Sequence, residues 1–113
     1  MKWILFSAAA IAIGSLALPV DAPALSSNAI LNTPDIYIEA VTLAPGEGTG
    51  QHSIVPAEVG IVVEGDVILS SPQGREPLQV GKAFALPGLT PHDIRNEGNR
   101  PAKVYVIAVK RCD

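Results

Sequence analysis

Cysteine is almost missing from this chain of 113 residues: Cys112 stands alone, one residue from the end. One thiol builds neither an internal disulfide framework nor a cysteine-based zinc site. Aromatic residues make up 4% of the chain, so no stacking platform for a sugar or a flavonoid is visible. Cationic side chains are outnumbered, 8 Lys and Arg against 11 Asp and Glu, for a formal net charge of -3. Such a surface is not built to neutralise phosphates, and nucleic acid is excluded as a partner. No window repeats its apolar residues at the helical spacing, and no repeat of 20 to 50 residues is present. What the chain does have is Gly 10 and Pro 10, which argue for short elements joined by tight turns.

The N-terminus reads as a targeting segment. Lys2 precedes an apolar run from Trp3 to Leu18, broken only by Ser7, Gly14 and Ser15. A positive start, an apolar stretch and small residues after it have the pattern of a secretory signal peptide. Ala22-Pro23-Ala24 offers the best small-x-small site, with cleavage before Leu25, and Ser15-Leu16-Ala17 is a second option. The alternative is an uncleaved anchor, since Trp3 to Val20 approaches spanning length; only in that case is a membrane a partner. The expected organisation is a signal peptide over 1–24, an N-terminal arm over 25–35 and one β-domain over 36–113. An exported protein meets an oxidising compartment, periplasmic or extracellular, where Cys112 is either a free thiol on a frayed end or half of an intermolecular disulfide.

The rest reads as strands. Ile36 to Leu43 is rich in β-branched and aromatic residues. His52 to Val55, Val59 to Glu64, Val67 to Leu69, Leu78 to Val80, Ala83 to Leu86 and His92 to Arg95 are further short strands. Ala102 to Lys110 alternates well and is the longest. Leu25 to Pro34 is polar, a tether or a strand-like arm. Ala44 to Gln51 and Ser70 to Pro77 are loops, and Gly65-Asp66 is a hairpin turn. About eight short strands separated by turn signals give an all-β sandwich or small barrel, with any ligand inside.

Function is then sought in polar residues on the inner face. The chain has only two histidines, His52 and His92. Glu58 shares strand parity with His52, although Pro56 interrupts the strand between them. Imidazole with carboxylate suits zinc, iron, manganese, nickel or copper. From spacing alone, two half-buried side chains without a ligand remain the plainer reading. Asn96 reads as a turn cap, Tyr105 as packing, and Arg95, Arg100, Lys103, Lys110 and Arg111 as solvated surface.

The turns around these residues add a pattern. Gly46, His52, Glu58 and Gly65 are separated by five, five and six residues; Gly81, Pro87, His92 and Asn96 follow by five, four and three. These two stretches, with fifteen residues between Gly65 and Gly81, resemble the two motifs of the cupin superfamily. The resemblance spans Ile36 to Val109 and implies a small single-domain cupin type-2 barrel, that is, a jelly roll or double-stranded β-helix. It further implies a divalent metal (Fe, Mn, Ni or Zn) held by His52, Glu58 and His92, a small-molecule ligand and a homodimer.

Two positions depart from the pattern. Ile54 stands where the first motif has a second histidine, and the glycine of the second motif is displaced to Gly88, with Leu89 in its slot. Two imidazoles and a carboxylate still form a workable set for zinc or non-haem iron. Three functions follow: a metal-dependent binding protein, a dioxygenase of the quercetinase-like type, or a metal-free sensor or proton-shuttling pocket with a degenerate site.

Overall fold

The structure, a computed structural model, describes residues 25–110. The signal-peptide assignment and Cys112 lie outside the described residues. Eight strands follow in order: β1 (Ser26–Asn32), β2 (Ile36–Leu43), β3 (Ala57–Glu64), β4 (Val67–Ser71), β5 (Gly74–Leu78), β6 (Ala83–Leu86), β7 (Asp93–Arg95) and β8 (Ala102–Val109). They form a five-stranded sheet, β1-β2-β8-β3-β6, and a three-stranded sheet, β5-β4-β7. Every strand pair is antiparallel. The fold is all-β, and no helix occurs among the described residues.

Period-two alternation decides which side chains enter the core. Val41 and Leu43 of β2, Val62 of β3 and Ala102, Val104 and Val106 of β8 point inward, meeting Val67, Leu69, Phe84 and Ile94 in one buried cluster. Glu39 and Glu58 share the parity of these inward residues on β2 and β3. Gly60 is set by a close approach: it pairs with Phe84 across the sheet, and a Cβ there would overlap the Phe84 ring. The phenyl group therefore closes the core where Gly60 has no side chain.

Several expectations change. The polar arm after Leu25 is a regular strand, β1, exposed along its whole length. Thr33 holds its turn, the hydroxyl accepting from the Asp35 and Ile36 amides at 3.2 and 2.9 Å. Ser70 to Pro77 is not a loop but the β4–β5 hairpin, with Ser71 paired to Gly74 around Pro72-Gln73. Pro77 is accommodated because β5 is an edge strand. Gly65-Asp66 is not a hairpin turn: β3 and β4 lie in different sheets, and the pair carries the chain between them. Gly65 has φ 74° there, and a Cβ on it would stand 2.5 Å from the Pro101 carbonyl oxygen. The strand expected over His52 to Val55 is reduced to one bridge, His52 with His92. With Pro56 following, only His52 keeps sheet pairing.

Candidate metal centre

The two histidines are brought together by backbone. The His52 amide donates to the His92 carbonyl at 2.9 Å, and the His92 amide returns the bond at 2.8 Å. This exchange puts the two side chains next to each other, with ring centroids 4.3 Å apart. Glu58 comes from regular strand β3, across the core. Single ligand atoms of His52, Glu58 and His92 lie within 4.8 Å of one another. Donors bound to one ion at ~2.1 Å lie up to ~4.2 Å apart, so the three stand close to coordinating distance. All three expected site residues therefore meet, on the inside of the fold.

Hydrogen bonding sets the imidazoles for coordination. His52 Nδ1 lies 2.8 Å from the Gly50 carbonyl, and His92 Nδ1 lies 2.8 Å from the Thr90 carbonyl. A carbonyl only accepts, so each Nδ1 carries a hydrogen, and Nε2 is the nitrogen left to coordinate a metal. His92 Nε2 approaches Glu58 Oε1 to 3.0 Å. The two are not aligned as donor and acceptor, and both buried atoms lack a hydrogen-bond partner among the described residues. His92 is 2% and Glu58 4% exposed, so water does not readily substitute. Buried polar atoms without partners are uncommon and costly, and here two of them converge with a third donor. This donor set fits a divalent cation. Burial pushes the Glu58 carboxyl above the usual carboxylate range; the neighbouring His92 and His52 pull it back, and Glu39 adds to the rise.

The loop carrying His52 is clamped by residues that spacing did not reveal. Asp93 Oδ1 accepts from the Gly50 amide at 2.8 Å, the same Gly50 whose carbonyl holds His52. The Thr49 hydroxyl accepts from the Ile94 amide at 3.1 Å, and the Thr49 amide donates to the Ile94 carbonyl at 2.9 Å. Arg95 is at the surface, its side chain 43% exposed, and its guanidinium also lies against Gly48, donates to the Gly46 carbonyl at 3.2 Å and reaches Asp93 at 3.5 Å. The glycine loop is thus pinned along β7. Asn96 is the expected cap, 1% exposed, donating to the Leu43 and Arg100 carbonyls and accepting from Gly98. Tyr105 is on the outer sheet face, 37% exposed, and takes no part.

The two departures from the motif pattern have different consequences. Ile54 is half-buried, and its carbonyl accepts from the Leu89 amide at 2.6 Å. Leu89, in the glycine slot, adopts φ 61°. The chain keeps the left-handed turn without the glycine that relieves it. Gly88 is needed for another reason, since a Cβ there would overlap the Val55 carbonyl.

A cavity of about 180 Å³ opens beside the cluster. His52, Glu58, Glu39, Thr49 and Ser27 supply its polar lining, and Leu25, Val41, Ile94 and Val106 its apolar walls. Glu39 is the residue that the sequence reading missed. The alternation of β2 could have found it, as an acid on the inward-facing positions of an apolar strand.

Comparison with known proteins agrees with this architecture. A family model described as "Cupin domain" matches residues 40–108. No curated protein sequence matches the chain. Among solved structures, a cupin domain from Bordetella pertussis Tohama I superposes with a TM-score of 0.68 at 19% identity, covering 81% of this chain and 99% of its own. A Cupin 2 conserved barrel protein from Salinispora arenicola gives 0.67 at 23% identity, over 74% and 73% of the two chains. A sugar phosphate isomerase of the cupin superfamily from Silicibacter pomeroyi gives 0.62 at 25% identity, over 68% of this chain and 52% of that one. The motif glycines, the two facing sheets and the inward His, Glu and His therefore have one common explanation: the chain belongs to the cupin superfamily, with the double-stranded β-helix fold.

Proposed function

We propose that the protein is an exported cupin that binds a small molecule through a divalent metal held by His52, Glu58 and His92. The observation that carries this reading is the buried pair Glu58 Oε1 and His92 Nε2, close together yet without a hydrogen bond. When bound, the metal supplies Lewis acidity toward an oxygen of the ligand. The protein's own part is preparatory. The Gly50 and Thr90 carbonyls fix both imidazole tautomers, and Glu58 supplies the anionic donor. Val41, Ile94 and Val106 keep water from the ligand's apolar part.

Export is supported by Lys2 and the apolar run after it. A homodimer is supported by the outer face of the larger sheet. There Ile38, Ile107 and Val59 stand in one row across three strands, and Ala40, Tyr105 and Ile61 in the next. Two such apolar rows can stack face to face. A monomeric sedimentation coefficient would remove that part of the proposal.

A metal-free pocket is the second reading, favoured by the raised Glu58 carboxyl, which when protonated can donate to His92 Nε2. Elemental analysis of protein purified without added metal or chelator separates the two. Near-stoichiometric iron, manganese, nickel or zinc, lost in His92→Ala, is the expected result. Absence of metal, together with melting unaffected by divalent ions, overturns it. Oxygen uptake with a flavonol tests the dioxygenase alternative on the same preparation.

A further inference from the structure

The cavity holds one carboxylate more than the metal set uses. Glu39 lies on β2, with Val106 opposite on β8 and Ala29 opposite on β1. Neither neighbour has a polar side-chain atom to offer it. Its one hydrogen bond comes from the Tyr37 hydroxyl to Oε1, at 3.3 Å. The second oxygen has no donor among the described residues, and the side chain lines the same cavity as His52 and Glu58. Along the inward face Glu39 has Tyr37 on one side and the apolar Val41 and Leu43 on the other, and neither Lys nor Arg lines the cavity.

Charge and size then limit what enters. A metal held by His52, Glu58 and His92 would leave Glu39 as the acid of the cavity outside the ligand set. An anion would stand beside Glu39 with no basic residue to balance it, and a cation would face the metal. A neutral molecule is favoured, with a hydroxyl to donate to the acceptor that Glu39 leaves free. The volume of about 180 Å³ compares with the ~150 Å³ apolar cavity that holds benzene. We propose that Glu39 is the specificity-determining residue of this cavity, and that it selects a neutral, hydroxyl-bearing ligand of about benzene's size, a phenol or a small cyclic alcohol. This rests on the metal reading, since a metal at the cluster is what disfavours a cation in the cavity. The apolar walls Val41, Ile94 and Val106 take the ring, and Glu39 takes the hydroxyl proton in a hydrogen bond.

The test uses Zn2+-loaded protein and three probes followed by calorimetry: phenol, toluene and benzoate. The wild type should bind phenol at least ~10-fold more tightly than toluene, as expected for a hydrogen bond to a charged acceptor, and should bind benzoate more weakly than phenol. Glu39→Gln, nearly isosteric, should cut the preference for phenol over toluene to within ~3-fold and should raise benzoate affinity ~10-fold by removing a nearby like charge. Its Zn2+ affinity should stay within ~3-fold of wild type. Benzoate binding as tightly as phenol in the wild type overturns the proposal. So does a phenol preference that survives in Glu39→Gln, or loss of Zn2+ in that variant, which would make Glu39 a metal ligand. If the wild type takes up no Zn2+, the metal reading fails instead. Phenol and toluene are then titrated into the metal-free protein, and a phenol preference abolished by Glu39→Gln still supports the selecting role, whereas none refutes it.

Discussion

Glu58→Gln should have opposite effects on stability with and without metal. In the metal-free wild type the Glu58 carboxylate and His92 Nε2 face each other at 3.0 Å, buried and unbonded. A Gln amide removes the buried charge and can donate to Nε2, gaining about 1 kcal/mol. For a domain of this size that raises the melting temperature by ~4–8 °C. Zinc reverses the ranking. At 100 times its dissociation constant a bound metal adds ~2.7 kcal/mol, or ~11–22 °C, to the wild type. The amide is a poor zinc ligand, so the variant should show less than about a third of that rise. The pH dependence gives a further check. Burial raises the Glu58 carboxyl above 4.5 in the folded protein. Between that value and the folded one, the native state holds a proton that the unfolded chain has lost. Stability of the metal-free wild type therefore falls as pH climbs through this window, and Glu58→Gln abolishes that slope. The zinc-induced rise in wild type grows across the same window, since coordination needs the carboxylate. Differential scanning fluorimetry from pH 4 to 8, with and without Zn2+, reads all of these. A variant that melts lower without metal and keeps the full zinc response would refute the assignment of Glu58.

Three further outcomes follow from the surroundings of the site. Asp93→Ala should weaken Zn2+ binding by about 10-fold, because the Gly50 carbonyl that orients His52 loses its anchor; Asp93→Asn, whose amide oxygen still accepts from Gly50, should restore most of it in a competition titration. Leu89→Gly should raise the melting temperature by a few degrees, since relief of φ 61° at a residue 64% exposed outweighs the flexibility gained by the unfolded chain; a fall in melting temperature would show that Leu89 makes a contact worth more than its strain. Ile107→Lys puts a charge in the centre of the outer apolar rows, and should shift sedimentation from dimer to monomer with the monomer still folded.

The strands legible in the sequence were those rich in β-branched and aromatic residues or alternating in their own composition. Ile36–Leu43, Ala83–Leu86 and Ala102–Val109 carry their own pattern and appear close to where alternation puts them. The failures sit where tertiary pairing outweighs local composition. SSPQGREP looks like a loop, yet Gly74 at φ 116° and the pairing of Glu76 with Leu69 make it half of a hairpin. His52 to Val55 looks like a strand, yet only His52 forms a β-bridge. Gly65-Asp66 has the composition of a hairpin turn, but composition does not say which sheet the next strand joins.

The site was legible for a different reason. Its ligands are rare residue types at motif spacing, so His52, Glu58 and His92 could be named without knowing how the chain folds. Their supports could not. Asp93, Thr49 and Arg95 act through backbone groups 43 to 49 residues away, and an acid or a threonine in that role has no spacing signature. Glu39 escaped because one acid in an alternating strand is unremarkable until the opposite strands prove to offer it nothing. These supports also explain how the cluster withstands Ile54 in place of a fourth donor. Two residues that exchange both N–H···O bonds are held with their Cα atoms ~5.5 Å apart whether or not an ion is present. His52 and His92 are such a pair. Each ring is then fixed by a carbonyl on its own loop, and Glu58 arrives from a strand paired on both sides. Little side-chain freedom remains to be lost on coordination, so a three-donor set bound in this way gives up less entropy than three mobile ligands would. Preorganisation in the backbone is what would offset the missing donor.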